Sequence, residues 1–382
     1  MKKKIYYWSP CLNAVGTVKS TLNSAISLSK YHSNCEVTMI NACGEWDKFK
    51  EILDKNSIKI ISLNISFYNF LPKTGFIQSR FSYIMIFLFC FFQLKKILKK
   101  DKPDLIICHL ITSLPLVLLN IFKFKSDFIL RISGYPKLHL IRKYFWKKSG
   151  QKLKFITCPT LELKKKLEKN NLFDKNKIKF LPDAILDISS FRKNIKETIT
   201  DLPKDKKIIL SAGRLTKQKN FIYLVKEFEK FSNINNDFIL VILGDGEEKK
   251  KLEIQILKKN MKNKIFLKSF SNKIFSYMRK SEIFVLPSLW EEVGFVIVES
   301  ALNNCYVISS DCPNGPTEFL NNGENGILFS SNKDGALLES FKRYLNFDEK
   351  KKFNDRVSLK KNTRKYTMFH HYLNLKKIIN SI

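Results

Sequence analysis

Glycine and proline are scarce in this chain of 382 residues, at 13 and 11 residues. Their scarcity excludes a collagen-like or low-complexity protein. Hydrophobic residues make up 44% of the sequence, which is too high a share for a chain that stays disordered. At roughly 150 residues per domain, the length predicts two domains.

Acidic residues are also few compared with basic ones. The chain has 35 Asp and Glu and 68 Lys and Arg, which gives a formal net charge of +33. Such an excess attracts nucleic acid, anionic lipid or phosphorylated ligands. Compositional drift that fills solvated positions with lysine would give the same charge. Charge alone therefore leaves both interpretations open.

Paired cysteine motifs are absent, since the eight cysteines are scattered without a CxxC. This pattern predicts reduced thiols in a cytosolic compartment, and neither a disulfide scaffold nor a zinc site. At the N-terminus, MKKK precedes only four apolar residues, IYYW. That run is too short for the core of a signal peptide, so we predict a first β-strand in a protein that is not exported.

Long apolar runs are nearly absent, and the exception is Phe81–Leu94, FSYIMIFLFCFFQL. A membrane span needs about 20 apolar residues, and this run is closely bracketed by Arg80 and Lys95. We therefore expect a buried or interfacial helix. The lysines that follow would suit anionic lipid, but the core helix of an α/β layer fits the run equally well.

Short apolar runs alternate with longer amphipathic ones along the whole chain, which predicts βα units around parallel sheets. The pattern restarts after a polar stretch at Leu186–Lys207, the expected linker. The predicted strands are Lys4–Trp8, Glu36–Asn41, Lys59–Leu63, Leu105–His109, Phe128–Ile132, Phe155–Cys158, Ile208–Ala212, Phe238–Leu243, Ile265–Leu267, Ile283–Pro287 and Tyr306–Ser309.

Basic residues follow the strand predicted at Ile208–Ala212, where the chain reads GRLTKQKN before a helix begins. Gly213 permits a tight turn. Arg214 and Lys219 would then lie at a strand end and a helix N-terminus, where two cations and free N–H groups can bind a diphosphate. A solvated loop with ordinary basic residues is the alternative.

Carboxylates follow the strand predicted at Ile283–Pro287, where the chain reads SLWEEVGF and then an apolar helix. Glu291 lies in the loop and Glu299 in the helix, and a carboxylate near a helix start can bind a vicinal diol. Gly294 lets the backbone approach a ligand closely. A third polar loop, DCPNGPTE, follows the next strand, so three loops are expected to converge on one ligand.

Together the runs GRLTKQKN, PSLWEEVGFVIVES and DCPNGPTEFLNNGENGILF resemble the C-terminal half of glycosyltransferase family 4. These are retaining nucleotide-sugar transferases of the GT-B fold. The resemblance implies an α/β chain with two doubly wound Rossmann-like domains facing across a cleft. Residues 1–190 would bind the acceptor, residues 191–365 the nucleotide sugar, and a helix in 366–382 would cross back to the first domain.

The resemblance also implies roles for individual residues. Arg214 and Lys219 fall at the diphosphate-binding pair of the family, and Glu291 and Glu299 at its paired glutamates. Glu291 would hold the hydroxyls of the donor sugar and Glu299 the ribose of the nucleotide. Gly294 and Phe295 would complete the donor site. The catalytic residues are expected to be His109, Arg214, Lys219 and Glu291.

The first half matches the family more loosely. The segment Pro10–Thr17 resembles the glycine-rich loop that closes over the donor phosphates, but Val15 replaces one of two usual glycines and only Gly16 remains. His109 follows the fourth predicted strand, where family members carry a histidine that faces the reacting sugar.

The implied activity is that of a retaining hexosyltransferase. It would move a hexose or N-acetylhexosamine from a donor, UDP-linked rather than GDP-linked, to a lipid-linked glycan in bacterial lipopolysaccharide or capsule synthesis. No Asp-x-Asp motif follows a strand, so no metal or other cofactor is expected. The run Arg142–Lys148, RKYFWKK, suits an anionic membrane surface, which predicts a cytoplasmic protein peripheral on the inner face of the membrane and without a nucleic-acid partner.

Other functions remain as alternatives. A nucleotide-sugar epimerase of the same fold would need acid and base carboxylates in a different pattern, and a phosphorylase would need a lysine for its pyridoxal cofactor. A basic nucleic-acid-binding protein would need a recognisable binding module, and none is evident. A homologue that only binds its donor is weakly favoured by the glycine missing at Val15, but the intact Arg214, Lys219, Glu291 and Glu299 argue against it.

Overall fold

The chain forms two compact units in a computed structural model that describes residues 2–11, 16–63, 76–136, 138–193, 199, 202–271, 273–331 and 333–382. Unit 1 comprises Met1–Ile185 together with Thr367–Ile382, and unit 2 comprises Leu186–Tyr366. The sequence prediction placed these divisions at residues 190 and 366.

Unit 1 is built on a seven-stranded parallel sheet with the order β3-β2-β1-β4-β5-β6-β7. Its strands are β1 (Lys3–Trp8), β2 (Cys35–Asn41), β3 (Lys59–Ser62), β4 (Leu105–Cys108), β5 (Asp127–Arg131), β6 (Phe155–Cys158) and β7 (Ile178–Phe180). Because β1 lies between β2 and β4, the winding reverses there and the sheet is doubly wound.

Helices cover both faces of this sheet. They are α1 (Gly16–Tyr31), α2 (Lys50–Lys55), α3 (Phe76–Asp101), α4 (Ser113–Ile121), α5 (Leu140–Lys152) and α6 (Leu161–Lys169). Helices α3 to α6 contribute to one apolar cluster, whereas α1 and α2 contribute to the other. The chain first winds from β1 toward the β3 edge of the sheet and then from β4 toward the β7 edge. Because each crossover is right-handed, the helices of these two parts lie on opposite faces.

Helix α3 extends well beyond the apolar run seen in the sequence. Its segment Arg80–Asp101 is long and apolar enough to cross a membrane by length and composition alone, which by itself is weak evidence for a membrane span. Residues Ile86, Cys90, Leu94 and Leu98 nevertheless recur every fourth position and are buried in the core of unit 1. One stripe of α3 therefore packs on the sheet.

Unit 2 has a six-stranded parallel sheet with the order β10-β9-β8-β11-β12-β13, which is again doubly wound. Its strands are β8 (Lys207–Ala212), β9 (Phe238–Leu243), β10 (Ile265–Lys268), β11 (Ile283–Leu286), β12 (Tyr306–Ser310) and β13 (Ile327–Phe329). Its helices are α7 (Ile188–Lys193), α8 (Phe221–Ser232), α9 (Lys249–Lys258), α10 (Ile274–Lys280), α11 (Phe295–Leu302), α12 (Gly315–Phe319), α13 (Ala336–Asn346) and α14 (Glu349–Asn362). The predicted linker thus carries a short helix.

The last helix, α15 (Met368–Asn380), belongs to unit 1 and packs against α1. The side chain of Thr367 caps it by accepting a hydrogen bond from His370 N at 3.3 Å. Leu375 and Ile379 are buried in the same apolar cluster as α1. The chain therefore returns to its first unit after completing its second.

Candidate active site

Two loops at the carboxyl edge of the unit 2 sheet are joined by hydrogen bonds. Leu289 N donates to Gln218 O at 2.8 Å, and Gln218 Nε2 donates to Trp290 O at 2.8 Å. These bonds join the short helical turn after β8 to the loop after β11. Because β8 and β11 are neighbouring parallel strands, both loops lie where open α/β sheets bind ligands.

Lys219 and Glu291 meet between these loops. Lys219 Nζ forms an ion pair with Glu291 Oε1, which also accepts a hydrogen bond from Ser288 Oγ at 2.7 Å. Both side chains are largely shielded, with 14% and 9% of their surface exposed. The sequence placed Lys219 and Glu291 on different parts of a ligand, and the structure brings them into direct contact.

Arg214 lies on the same edge and is exposed at the start of the loop that follows β8. Its backbone position is set by a close approach to the loop after β9. Gly213 N donates to Leu243 O at 3.0 Å, and a Cβ added at Gly244 would lie 1.9 Å from Gly213 O. Any side chain at Gly244 would displace this loop, so only glycine fits there.

Helix α11 carries the other predicted residues. Gly294 caps its N-terminus with φ of +73°, a left-handed conformation that favours glycine. Phe295 is the first residue of α11 and is partly buried, while Glu299 lies one turn later and is 7% exposed. The first N–H groups of α11 are suited to a negatively charged ligand, because they have no intrahelical partners.

Charged and aromatic groups extend the edge toward β9 and β10. Asp245 follows β9, and its carboxylate accepts hydrogen bonds from Phe270 N at 2.8 Å and from Lys249 Nζ at 3.0 Å. These bonds hold the pKa of Asp245 below its usual range. The ring of Phe270 itself is 72% exposed. Lys249 Nζ also donates to Ser269 Oγ at 2.9 Å.

His109 lies in unit 1, directly after β4, at the carboxyl edge of that sheet. Its Nδ1 is 3.0 Å from Thr21 Oγ1, and only 8% of the residue is exposed. Burial, together with the positive charge of Arg131 and the electrostatic interaction with the nearby His371 ring, holds the pKa of His109 well below its usual range. The ring is therefore neutral at physiological pH.

The glycine-rich loop predicted at Pro10–Thr17 falls partly outside the described residues, which omit 12–15. Gly16 is described and begins α1 in an exposed position. At the same edge of unit 1, sequence reasoning missed Glu45. It is buried and accepts hydrogen bonds from Ala42 N and Cys43 N, yet desolvation raises its pKa to about 7.

Sequence reasoning also missed Ser288 and Gly244. Ser288 lies two residues after β11, and its position at a strand end is the signal that could have identified it. For Gly244 no local signal exists, because its role depends on contact with Gly213, which is 31 positions earlier in the sequence. Within the described ranges, no three His, Cys, Asp or Glu side chains are arranged to bind a metal ion.

Comparison with known proteins defines the class. Residues 192–366 match the family model described as Glycosyl transferases group 1. A solved glycosyltransferase from Rickettsia africae superposes with a TM-score of 0.76 at 19% identity, covering 99% of this chain and 98% of that one. Residues 192–366 are therefore similar to glycosyltransferases, and the whole chain has the GT-B fold of that solved structure, so the predicted α/β class with two doubly wound sheets is confirmed.

Two curated glycosyltransferases are similar to this chain in sequence. An uncharacterized glycosyltransferase of Methanocaldococcus jannaschii is 32% identical over 60% of this chain and 61% of its own length. The chain thus spans less than two thirds of that relative. The Escherichia coli UDP-Gal:alpha-D-GlcNAc-diphosphoundecaprenol alpha-1,3-galactosyltransferase is 27% identical over 65% of this chain and 68% of its own length.

Proposed function

We propose that this protein is a retaining, metal-independent glycosyltransferase. It moves a hexose or an N-acetylhexosamine from a UDP-linked donor to a lipid-linked glycan in the synthesis of a bacterial surface polysaccharide. The observation that carries the proposal is the contact between Lys219 and Glu291 at the carboxyl ends of β8 and β11. It puts a cation and a carboxylate side by side at the edge where such sheets bind nucleotides.

Arg214 and Lys219 bind the diphosphate of the donor in this proposal. As the bond between the anomeric carbon and the phosphate oxygen breaks, negative charge develops on the leaving diphosphate. These two cations and the N-terminus of α11 stabilise that charge. The charge stabilisation comes from side chains and backbone, which supports independence from metal.

Glu291 and Glu299 position the rest of the donor. The ion pair with Lys219 and the hydrogen bond from Ser288 both engage Glu291 Oε1, so Oε2 can accept a sugar hydroxyl. Glu299, in the second turn of α11, accepts hydrogen bonds from the ribose. His109, neutral and oriented by Thr21, acts as a hydrogen-bonding group toward the sugar on the acceptor side.

The transfer conserves atoms and charge. The acceptor hydroxyl oxygen bonds to the anomeric carbon from the face that the diphosphate leaves, and the hydroxyl proton passes to the leaving phosphate. The configuration at that carbon is retained. Exclusion of water during this step prevents hydrolysis of the donor.

Relatives support the choice of donor and acceptor. The Escherichia coli relative is named for a UDP-linked galactose donor and a diphosphoundecaprenol-linked acceptor. A lipid-linked acceptor requires the enzyme to work at a membrane, which is consistent with the excess of basic residues. We therefore place the protein at the inner face of the cytoplasmic membrane as a peripheral protein.

The donor site is tested by thermal unfolding with UDP, GDP and their sugars in the presence of EDTA. Because a ligand that binds only the folded state stabilises it by mass action, UDP should raise the melting temperature. Arg214→Ala and Glu299→Ala should abolish the shift. Lys342→Ala, which removes an exposed positive charge on α13, is the matched control and should keep it. Cooperative melting without any nucleotide shift would refute the donor site.

The reaction is tested with a lipid-linked glycan acceptor and the donor that gives the largest shift. NMR of the product should show the anomeric configuration of the donor, and EDTA should not lower the rate. Inversion, or a requirement for metal, would contradict the proposed mechanism. Conversion of the donor sugar to its epimer without an acceptor would instead favour the epimerase alternative.

A further inference from the structure

Helix α3 carries an exposed apolar stripe directly opposite its buried one. Ile84, Leu88 and Phe92 are 58%, 57% and 73% exposed, and Phe81 precedes them at 53%. These positions follow a spacing of three and four residues, so they lie on one face of the helix. Exposed large apolar side chains in a continuous row mark a contact surface.

The same face continues into lysines. Lys95 and Lys99 extend the stripe by the same spacing, and Lys96 and Lys100 lie beside them. The ammonium groups of Lys95 and Lys99 are 4.0 and 5.5 Å from the centre of the Phe122 ring, which holds them together. Throughout the described part of the chain, no carboxylate forms an ion pair with any of these four lysines.

A second patch of the same composition lies on α5. Leu140, Ile141 and Tyr144 are 85%, 79% and 71% exposed, and basic residues of the run RKYFWKK surround them. Helices α3, α4 and α5 pack side by side on one face of the unit 1 sheet. The two apolar patches therefore belong to one surface.

The direction of these helices determines where the apolar patches lie. Helices that connect parallel strands run antiparallel to them, so the first turns of α3 and α5 lie toward the carboxyl edge of the sheet. In α3 the apolar residues precede the lysines, so they lie nearer to this edge than the lysines do. From Phe81 to Lys99 the stripe is about 27 Å long at ~1.5 Å per residue.

From this arrangement we infer that the outer faces of α3 and α5 form a docking surface for an anionic bilayer. The apolar first halves enter the acyl boundary, and the lysines at the end of α3 bind headgroup phosphates. The charge pattern supports lipid as the occupant, since an apolar row that ends in lysines without carboxylate partners among the described residues complements a bilayer with negative headgroups. This geometry brings the carboxyl edge of unit 1 close to the lipid surface. The inference rests on the proposed function in one respect. The docking surface would serve to bring a lipid-linked acceptor to that edge.

The test is flotation of the full-length protein with vesicles of phosphatidylcholine, with and without 30% phosphatidylglycerol. We expect binding to the anionic vesicles and at least tenfold less to the neutral ones. The double variant Leu88→Glu/Phe92→Glu should lower binding to anionic vesicles at least tenfold. Ile254→Glu/Leu257→Glu, at exposed apolar positions on α9 of unit 2, is the matched control and should bind like the wild type.

A second variant separates insertion from simple charge attraction. Replacing Lys95, Lys96, Lys99 and Lys100 by Gln should weaken binding and make it less sensitive to salt. The inference would be overturned if the Leu88→Glu/Phe92→Glu protein bound anionic vesicles as strongly as the wild type does. Failure of the wild type to bind them would overturn it as well. The UDP-induced rise in melting temperature, measured on every variant, reports on the donor site separately and shows that each variant is folded.

Discussion

At the scale of single residues, the ion pair between Lys219 and Glu291 has an energetic consequence. Removing the lysine leaves a largely buried carboxylate with only the hydrogen bond from Ser288. Uncompensated buried charge is costly, so Lys219→Met should lower the free energy of unfolding by about 2 kcal/mol. The double variant Lys219→Met/Glu291→Gln should recover about half of that loss. Urea unfolding of the four proteins in the cycle measures the coupling.

The control for this cycle is Lys342→Met, which breaks an exposed pair with Glu339 on α13. Exposed pairs contribute about 0 to 1 kcal/mol, so this variant should be close to the wild type. Equal effects of Lys219→Met and Lys342→Met, or no recovery in the double variant, would show that the contact between Lys219 and Glu291 does not matter for stability.

Gly244 gives a second prediction at this scale. In Gly244→Ala the new Cβ would meet Gly213 O, so the loop that presents Arg214 must move. We expect a loss of about 3 kcal/mol or more in the free energy of unfolding and loss of the UDP-induced thermal shift. Gly335→Ala is the control. Its φ of +77° disfavours alanine, whereas Gly244 has no such positive φ, and no atom lies within 4 Å of the new Cβ at Gly335. If the two variants lose equal stability, steric contact at Gly244 is not the cause.

At the scale of elements, α15 is fixed to unit 1 by a buried histidine. His371 Nδ1 donates to Pro182 O at 2.6 Å, and Ser24 Oγ donates to His371 Nε2 at 2.8 Å. Both ring nitrogens are thus engaged in the neutral form. Desolvation lowers the pKa of His371 to about 4, so this helix docks best when the ring is uncharged.

This pKa shift predicts a loss of stability in acid. Between pH 6.5 and about 4, His371 binds a proton in the unfolded chain but not in the folded one, so the free energy of unfolding falls as pH falls. At pH 5 the loss should be about 2 kcal/mol relative to pH 7. Glu45, whose pKa is raised to about 7, acts in the opposite direction. The test therefore compares the pH dependence of the free energy of unfolding between the wild type and variants.

His371→Gln keeps one donor and one acceptor but cannot be protonated, so its loss between pH 7 and pH 5 should be about 2 kcal/mol smaller than that of the wild type. His370→Gln, at the exposed neighbour on α15, should follow the wild type. Urea unfolding at several pH values gives the comparison. Parallel pH profiles for the wild type and His371→Gln would contradict the proposed role of the ring.

Elements with a strong pattern could be predicted from the sequence. The strand expected at Lys4–Trp8 is β1, and those expected at Phe155–Cys158 and Phe238–Leu243 are β6 and β9 with the same bounds. Strands β7 and β13 were missed because each has only three residues and lies at a sheet edge. Three residues show neither alternation nor a long apolar run.

The candidate site could be predicted in part. Arg214, Lys219, Glu291 and Glu299 all lie on the carboxyl edge of unit 2, as their positions after predicted strands indicate. The contact between Lys219 and Glu291 could not be predicted, because it joins residues 72 positions apart through tertiary packing. For the same reason the sequence could not show which face of α3 is buried, although its apolar character was evident.

At the scale of the whole molecule, the net charge of +33 should itself affect stability. Mutual repulsion of like charges disfavours the compact state, and salt screens it over a distance of about 10 Å at 0.1 M. The melting temperature should therefore rise by a few degrees between 20 and 300 mM NaCl. Equimolar KCl should give the same rise, since the effect is one of screening. A fall in melting temperature with both salts would show that attractive ion pairs dominate instead.

The return of α15 to unit 1 also bears on how the chain is made. A ribosome must synthesise the whole of unit 2, Leu186–Tyr366, between the sheet of unit 1 and the helix that completes it. At about 5 to 20 residues per second, that interval lasts roughly 10 to 40 s. During this time the face of the nascent sheet that will receive Leu375 and Ile379 has no helix to cover it. Unit 2 can thus be folded before unit 1 is complete. During this interval a chaperone has the most time to bind the apolar face that α15 later covers.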